Sequence, residues 1–419
     1  MTLQNVSNTF LVIALALYTL SFIGFVIAVA GSKWSNRDPE NHKQKWGRLA
    51  FGVTVAGWLS QLVFFITRWI YAGHIPVSNM FEFMTFLGMM IMLAFIVFYL
   101  IYRKPVTGIF AVPAGIVILA YASVFPWDVQ PLIPALNSHW LKIHVTLAAG
   151  GEAFFAIGFA AGLMYLLRTV DFQSNTKSAR RERRGVEFTL YVVLVVVAFI
   201  SLVFIFRAAG FEAVFLQEEI VETEEGETQV IEKEVRYTLP PIFKPYNSEL
   251  VSMTPLYGLK GPLFETPSFF QGVGAGRKWN TFVLSTLAGL LLYGLLRLLL
   301  RKPIGAVIQP VLKDMDPDDL DEISYRSIAI GFPIFTLGAL VFAMIWAHIA
   351  WSRFWGWDPK EVWALITWLF YSAYLHLRLS RGWHGKKSSW LAVIGFVIVM
   401  FTLIGVNLVI AGLHSYAGV

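Results

Sequence analysis

Apolar runs of about 20 residues, the length needed to cross a bilayer, recur along the chain with short polar breaks between them. Ten are legible, at about 8–30, 48–70, 82–102, 106–124, 141–167, 188–209, 280–300, 327–349, 362–380 and 390–412. The pattern predicts an all-α fold, a polytopic transmembrane helix bundle of about ten spans. The first run closes with Ala-Val-Ala-Gly like a signal peptide, yet basic residues follow it instead of preceding it, so it reads as a retained span. Residues 210–279 are the one sizeable piece outside the runs. Their stretch "TQVIEKEVRYTL" alternates at strand spacing, which predicts a small β-hairpin. Three parts follow: N-terminal helices in 1–187, two further spans around the polar piece in 188–300, and a tryptophan-rich core in 301–419.

Charge gives the runs a direction. Segments 31–48, 103–104, 168–187, 297–326 and 378–389 hold 22 of the 33 Lys and Arg residues, whereas 71–81, 125–140 and the C-terminal tail hold none. By the positive-inside rule both termini face outward, and so do the 210–279 insertion and the tryptophan-rich segment. The net charge of +6 is then mostly cytoplasmic flank, not a nucleic-acid footprint. The insertion carries eleven Glu against six Lys and Arg and ends in "QGVGAGRKW". Its glycines do not follow a strand and open a helix as a phosphate loop requires. The chain has no cysteine. That excludes disulfides, thiolate metal ligands, a cysteine nucleophile and a resident thiol relay.

Imidazole is the commonest side-chain ligand for transition metals and haem iron, and polar groups inside a bilayer are functional by default. His42 and His384 fall among basic residues and read as solvated loop histidines; His74 reads as a turn residue. His144, just inside the outer end of the fifth span, and His414, at the outer end of the tenth, share one depth. His139 competes with His144, and five residues apart on a helix the two face different ways. His376 lies some 20 Å deeper, at about 1.5 Å per residue, so it cannot join them around one ion. His348 is a candidate by position alone. Glu82 and Glu152 are the intramembrane acids, each able to orient an imidazole or to bond a neighbouring helix.

The segment "WSRFWGWDPKEVWALITWLF" places Trp351, Trp355, Trp357 and Trp363 at one helix end. An interfacial belt would spread its indoles over many helix ends. Their concentration suits a flat apolar ligand. Asp358-Pro359-Lys360-Glu361 reads as a capped helix start, which gives Asp358 a structural task of its own.

This segment, together with "GLHSY" near the C-terminus, "GHIPVSNMFEF" and "SHWLKIHVTL", resembles the CcsA/ResC family of cytochrome c biogenesis, whose haem-handling superfamily is defined by a tryptophan-rich WWD segment. The overall pattern looks most like the ResC form of Gram-positive bacteria. The resemblance implies a bacterial cell-membrane subunit that moves non-covalent haem b outward and, with a ResB/CcsB partner, presents it to apocytochrome c for thioether attachment at the outer face. It implies two axial iron ligands at His144 and His414, a transmembrane haem-binding histidine at His376, and the WWD residues at Trp351, Trp355, Trp357 and Asp358. Relatives usually carry Asn at the position of His348 and Gly at that of Ser352. Spans six and seven with the acidic loop look like an insertion. A haem exporter without ligation activity and a transmembrane b-type cytochrome are the competing readings; the latter needs two paired-histidine sites, and only one deep histidine is present.

Overall fold

Three helices start at Asp-Pro pairs. Asp38, Asp316 and Asp358 each accept a backbone N–H from the first turn, while Pro39, Pro317 and Pro359 take the first helical position, where a missing N–H breaks no bond. Asn79 and Ser138 cap two further helices the same way. The computed structural model describes residues 2–31, 38–129, 137–222, 228–256, 258, 261–268, 272 and 274–406. Its helices are α1 (Leu3–Ala30), α2 (Pro39–Ala72), α3 (Met80–Tyr102), α4 (Pro105–Ala122), α5 (His139–Thr169), α6 (Lys177–Ala208), α7 (Ala275–Leu300), α8 (Ile304–Ile308), α9 (Pro317–Phe335), α10 (Ala343–Trp351), α11 (Pro359–Arg381) and α12 (Lys386–Met400). Among the described residues, nine helices are long and apolar enough to cross a membrane, α9 and α10 counting as one. The expected ninth span is α11, a continuous helix of 23 residues that carries Lys360, Glu361, Arg378 and Arg381. The chain is a polytopic helical membrane protein.

Two units make up the chain: residues 1–186 with 305–419, and residues 187–304. In the first, α5 is the central helix. Its small residues let neighbours approach closely, as transmembrane packing requires. A Cβ on Gly151 would strike the backbone of Phe335 on α9, one on Gly158 would strike Ile328, and one on Gly162 would press on Ala392 of α12. Two stretches of wide π turns interrupt the helices, Thr336–Phe342 between α9 and α10 and Phe401–Gly405 after α12. Pro333 lies just before the first of them and cannot donate to the preceding turn. Neighbouring residues of α11 bond to both: Trp368 Nε1 donates to Thr336 Oγ1 at 3.0 Å, and the Thr367 and Thr402 hydroxyls lie 3.1 Å apart.

The second unit pairs residues 187–208 of α6 with α7, where Gly289 meets Val195 and Tyr293 donates to Glu187 at 2.6 Å. The insertion holds β1 (Ala213–Glu222), β2 (Thr228–Tyr237), β3 (Phe243–Lys244), β4 (Ser248–Met253) and β5 (Phe264–Glu265). The expected hairpin is β1–β2, and β4 adds an antiparallel strand on the other side of β1. Phe215, Val235 and Tyr237 form its core with Phe211 and Ala213. The glycine-rich stretch does open a helix, contrary to expectation: Gly274, at φ 74°, precedes α7. Another correction concerns His42, which lies on α2 with Nε2 3.1 Å from the Ile27 carbonyl and is not a solvated loop residue.

A fully buried ion pair joins α2 to α3. Arg68 Nε donates to Glu82 Oε1 at 2.8 Å, and both side chains are at most 1% exposed. Arg68 also donates to the Trp127 carbonyl at 3.0 Å and stacks over Phe81, while the second Glu82 oxygen accepts from the Ser78 amide and hydroxyl. Glu82 therefore fixes the loop at Ser78 and, through Arg68, the chain at Trp127, and among the described residues it bonds no imidazole. Removing one partner strands a buried charge, so Arg68→Met should destabilise the protein by about 3–5 kcal/mol, and the double variant Arg68→Met/Glu82→Gln should recover most of that loss. Thermal unfolding in detergent, followed by tryptophan fluorescence, checks both.

Candidate functional site

The ends of α3, α5, α10 and α11 remote from the Lys- and Arg-rich loops enclose a cavity in the first unit, with about 1200 Å³ of space between atoms, partly open at its mouth. Of this, about 190 Å³ can hold the centres of water-sized molecules, and the rest opens to the mouth. On α5 the lining residues are Leu141, His144, Val145, Ala148 and Glu152, a single helical stripe. Trp346, Phe354, Trp355 and Phe83 supply aromatic wall, and Lys360 and Glu361 stand on the first turn of α11.

His144 is held by two contacts. Its Nδ1 lies 2.9 Å from the carbonyl oxygen of Gly338, in the first π stretch, and its ring lies parallel to Trp346, 9° between planes and 5.8 Å between centroids. A carbonyl only accepts, so Nδ1 carries the proton and Nε2 the lone pair, the tautomer a metal ligand needs. Gly338 makes this contact possible. A Cβ there would collide with the Ala148 amide nitrogen and the Leu147 carbonyl carbon of α5. Trp346, 1% exposed, packs edge-on against Trp351 at 4.8 Å.

Between α10 and α11 the chain turns through two residues with left-handed backbone, Ser352 at φ 56° and Trp357 at φ 59°. Ser352 ends α10, a place where glycine adopts this conformation without strain. Trp357 is the unusual one, a bulky residue in that region with its indole 70% exposed and edge-on to Trp355. The turn is fixed from α11. Asp358 Oδ1 accepts from the Lys360 amide at 3.0 Å, and Glu361 Oε2 accepts from the amides of Gly356 and Asp358 at 2.7 and 3.2 Å, a complete capping box.

The site residues expected from sequence thus separate. His144 and Trp355 line the cavity; Trp351 braces it from behind; Trp357 is exposed at its rim; Asp358 is a buried cap. His376 is exposed on α11, about 25 Å along the helix from Pro359, and lines no part of the cavity. His414 lies outside the described residues. His139 is exposed at the start of α5, and His348 is exposed and stacked on Phe354. Lys360, Glu361, Gly338 and Trp346 went unread as site residues in the sequence, although Glu361 stands at the capping-box position three after Asp358.

Glu361 holds two amides of a strained turn, so Glu361→Ala should open the turn about tenfold more often, ~1.4 kcal/mol. Trypsin cleavage after the exposed Arg353 measures it, since cleavage of a rapidly opening segment follows the open population.

The family model described as "Cytochrome C assembly protein" matches residues 281–414. The cytochrome c biogenesis protein CcsA of Gloeothece citriformis is 32% identical over 357 residues, covering 83% of this chain and 81% of the relative. CcsA of Picosynechococcus sp. is 30% identical across 88% of this chain and 91% of its own length, and CcsA of Trichormus variabilis 30% identical across 83% and 82%. With these relatives matched over more than four fifths of this chain and of their own length, the chain belongs to the CcsA family of cytochrome c biogenesis proteins.

Proposed function

We propose that the cavity receives haem b as a non-covalent substrate and presents it for covalent attachment to apocytochrome c. The observation that carries this reading is His144: a tautomer-locked imidazole on the wall of an aromatic-lined cavity. Haem is flat, largely apolar and anionic at its propionates. Trp355, Phe354 and Phe83 suit the ring faces, and Lys360 on the first turn of α11 suits a propionate. His144 supplies one axial ligand through Nε2, and His414 the second. Trp351 and Asp358 act indirectly, by bracing Trp346 and holding the turn that carries Trp355 and Trp357.

The chain positions; the thiols that add across the vinyl groups come from the cytochrome. The Lys- and Arg-rich loops at the opposite helix ends support an extracytoplasmic cavity in the bacterial cell membrane. His376 has a different task. An exposed histidine within a membrane helix faces lipid or another protein, which fits a deeper haem entry point completed by a ResB/CcsB partner.

An absorption spectrum of the purified complex tests the site. Wild type should show low-spin haem with two histidine ligands, His144→Gly should lose that spectrum, added imidazole should restore part of it, and His139→Gly should match wild type. A low-spin spectrum that survives in His144→Gly overturns the assignment. Gly338→Ala should lower haem retention about 10- to 100-fold, the usual range for loss of a group that orients a metal ligand. His376→Ala should deplete the outer haem without altering its spectrum; an undiminished load counts against deep entry.

A further inference from the structure

Glu152 lies two helical turns below His144 on the same stripe of α5, about 12 Å along the helix. Its side chain is 5% exposed, it lines the floor of the cavity, and its Oε2 has no hydrogen-bond partner among the described residues. Behind it runs a seam of buried polar groups between α5, α9, α11 and α12. Tyr371, within electrostatic reach of Glu152, has an unpartnered hydroxyl, and its ring lies 6.4 Å from that of Tyr374. The Tyr374 hydroxyl lies 3.0 Å from Ser388 Oγ, which accepts from Arg378 at 3.0 Å; Arg378 in turn donates to Asp321 at 2.7 Å. Ser389, on the adjoining turn, carries a third unpartnered buried oxygen. The seam therefore runs from the cavity floor to the Asp321–Arg378 pair at the basic end of the unit.

Buried polar groups without partners in the chain are where ordered water belongs, provided the surroundings are polar. Chains of ionisable and hydroxyl side chains inside a membrane bundle mark proton paths. We propose that this seam is a hydrated proton path ending on Glu152, and that Glu152 takes up one proton when the occupant of the cavity gains one electron. The inference rests on haem as that occupant. The step balances: a one-electron donor reduces ferric to ferrous iron, and one proton arriving through the seam converts the Glu152 carboxylate to the acid, so the cavity's net charge is unchanged. Among the described residues, the titratable or charged groups that share the cavity with Glu152 are His144 on its own helix and Lys360 and Glu361 on α11; the proposed second ligand, His414, joins them. Tyr371, also on α11, faces it from behind; α3, α9, α10 and the π stretch after α12 bring only uncharged residues to the cavity.

Redox titration of the haem-bearing membrane complex across the neutral pH range is the first test. In wild type each tenfold fall in proton concentration should lower the midpoint by about 59 mV, the value for one proton per electron, and in Glu152→Gln the midpoint should not move with pH. A pH-independent wild type, or an unchanged slope in Glu152→Gln, overturns the proposal. The second test needs no haem. In the full chain in lipid, the acid carbonyl stretch that vanishes in Glu152→Gln should shift on transfer to heavy water, and Tyr371→Phe should slow that exchange about tenfold. Equal rates in wild type and Tyr371→Phe overturn the path. A complex that carries no haem sinks the proposed function instead, and the infrared rates then decide the path.

Discussion

Everything at the cavity depends on how close α5 comes to the π stretch at Gly338. Where a side chain would normally keep two helices apart, backbone meets backbone, and the Gly338 carbonyl, bonded within the π stretch to the Ala343 N–H, also accepts from His144. The same approach sets the height of Trp346, eight residues farther on, parallel to the imidazole it supports. The Ala343 N–H lies five residues on, and the second lone pair of the Gly338 carbonyl serves His144; π turns are frequent at functional sites.

The opposite wall is held by different means. The turn between α10 and α11 has no packed core of its own, and it keeps two residues in left-handed backbone because a helix cap fixes it from outside. Glu361 serves the turn with one oxygen while lying at the cavity edge, so fold and site share a single carboxylate. Through Thr367 and Trp368, α11 is also fastened to both π stretches, making it the strut between the two sides.

Much of this was legible in residue order. The apolar runs marked the membrane helices, and Asp358-Pro359-Lys360-Glu361 announced its capping box, because both signals are local. Start positions were less so: α2 begins at Pro39, well before its apolar run, and so takes His42 out of the loop where polarity alone placed it. The β1–β2 hairpin followed from alternation, but β4 joins β1 across a separation that periodicity does not report. At the site, His144 was distinguishable from His139 only by facing, and facing is what the cavity displays. Gly338 and Trp346 stayed silent because π turns break the 3.6-residue period by which a helix face is read. Arg68 went unnoticed as the partner of Glu82, since a single arginine near a helix end reads as interfacial until the second helix is in place.

That ion pair bears on how the protein enters its membrane. A guanidinium one turn from the end of α2 and a carboxylate in the first turn of α3 are each unwelcome in hydrocarbon alone, yet together they present a neutral, mutually bonded unit. The two helices therefore settle into lipid most readily as a joined pair, with the intervening loop already folded around Ser78. Biosynthesis would then deliver the α3 edge of the cavity preassembled, before α5 has left the ribosome.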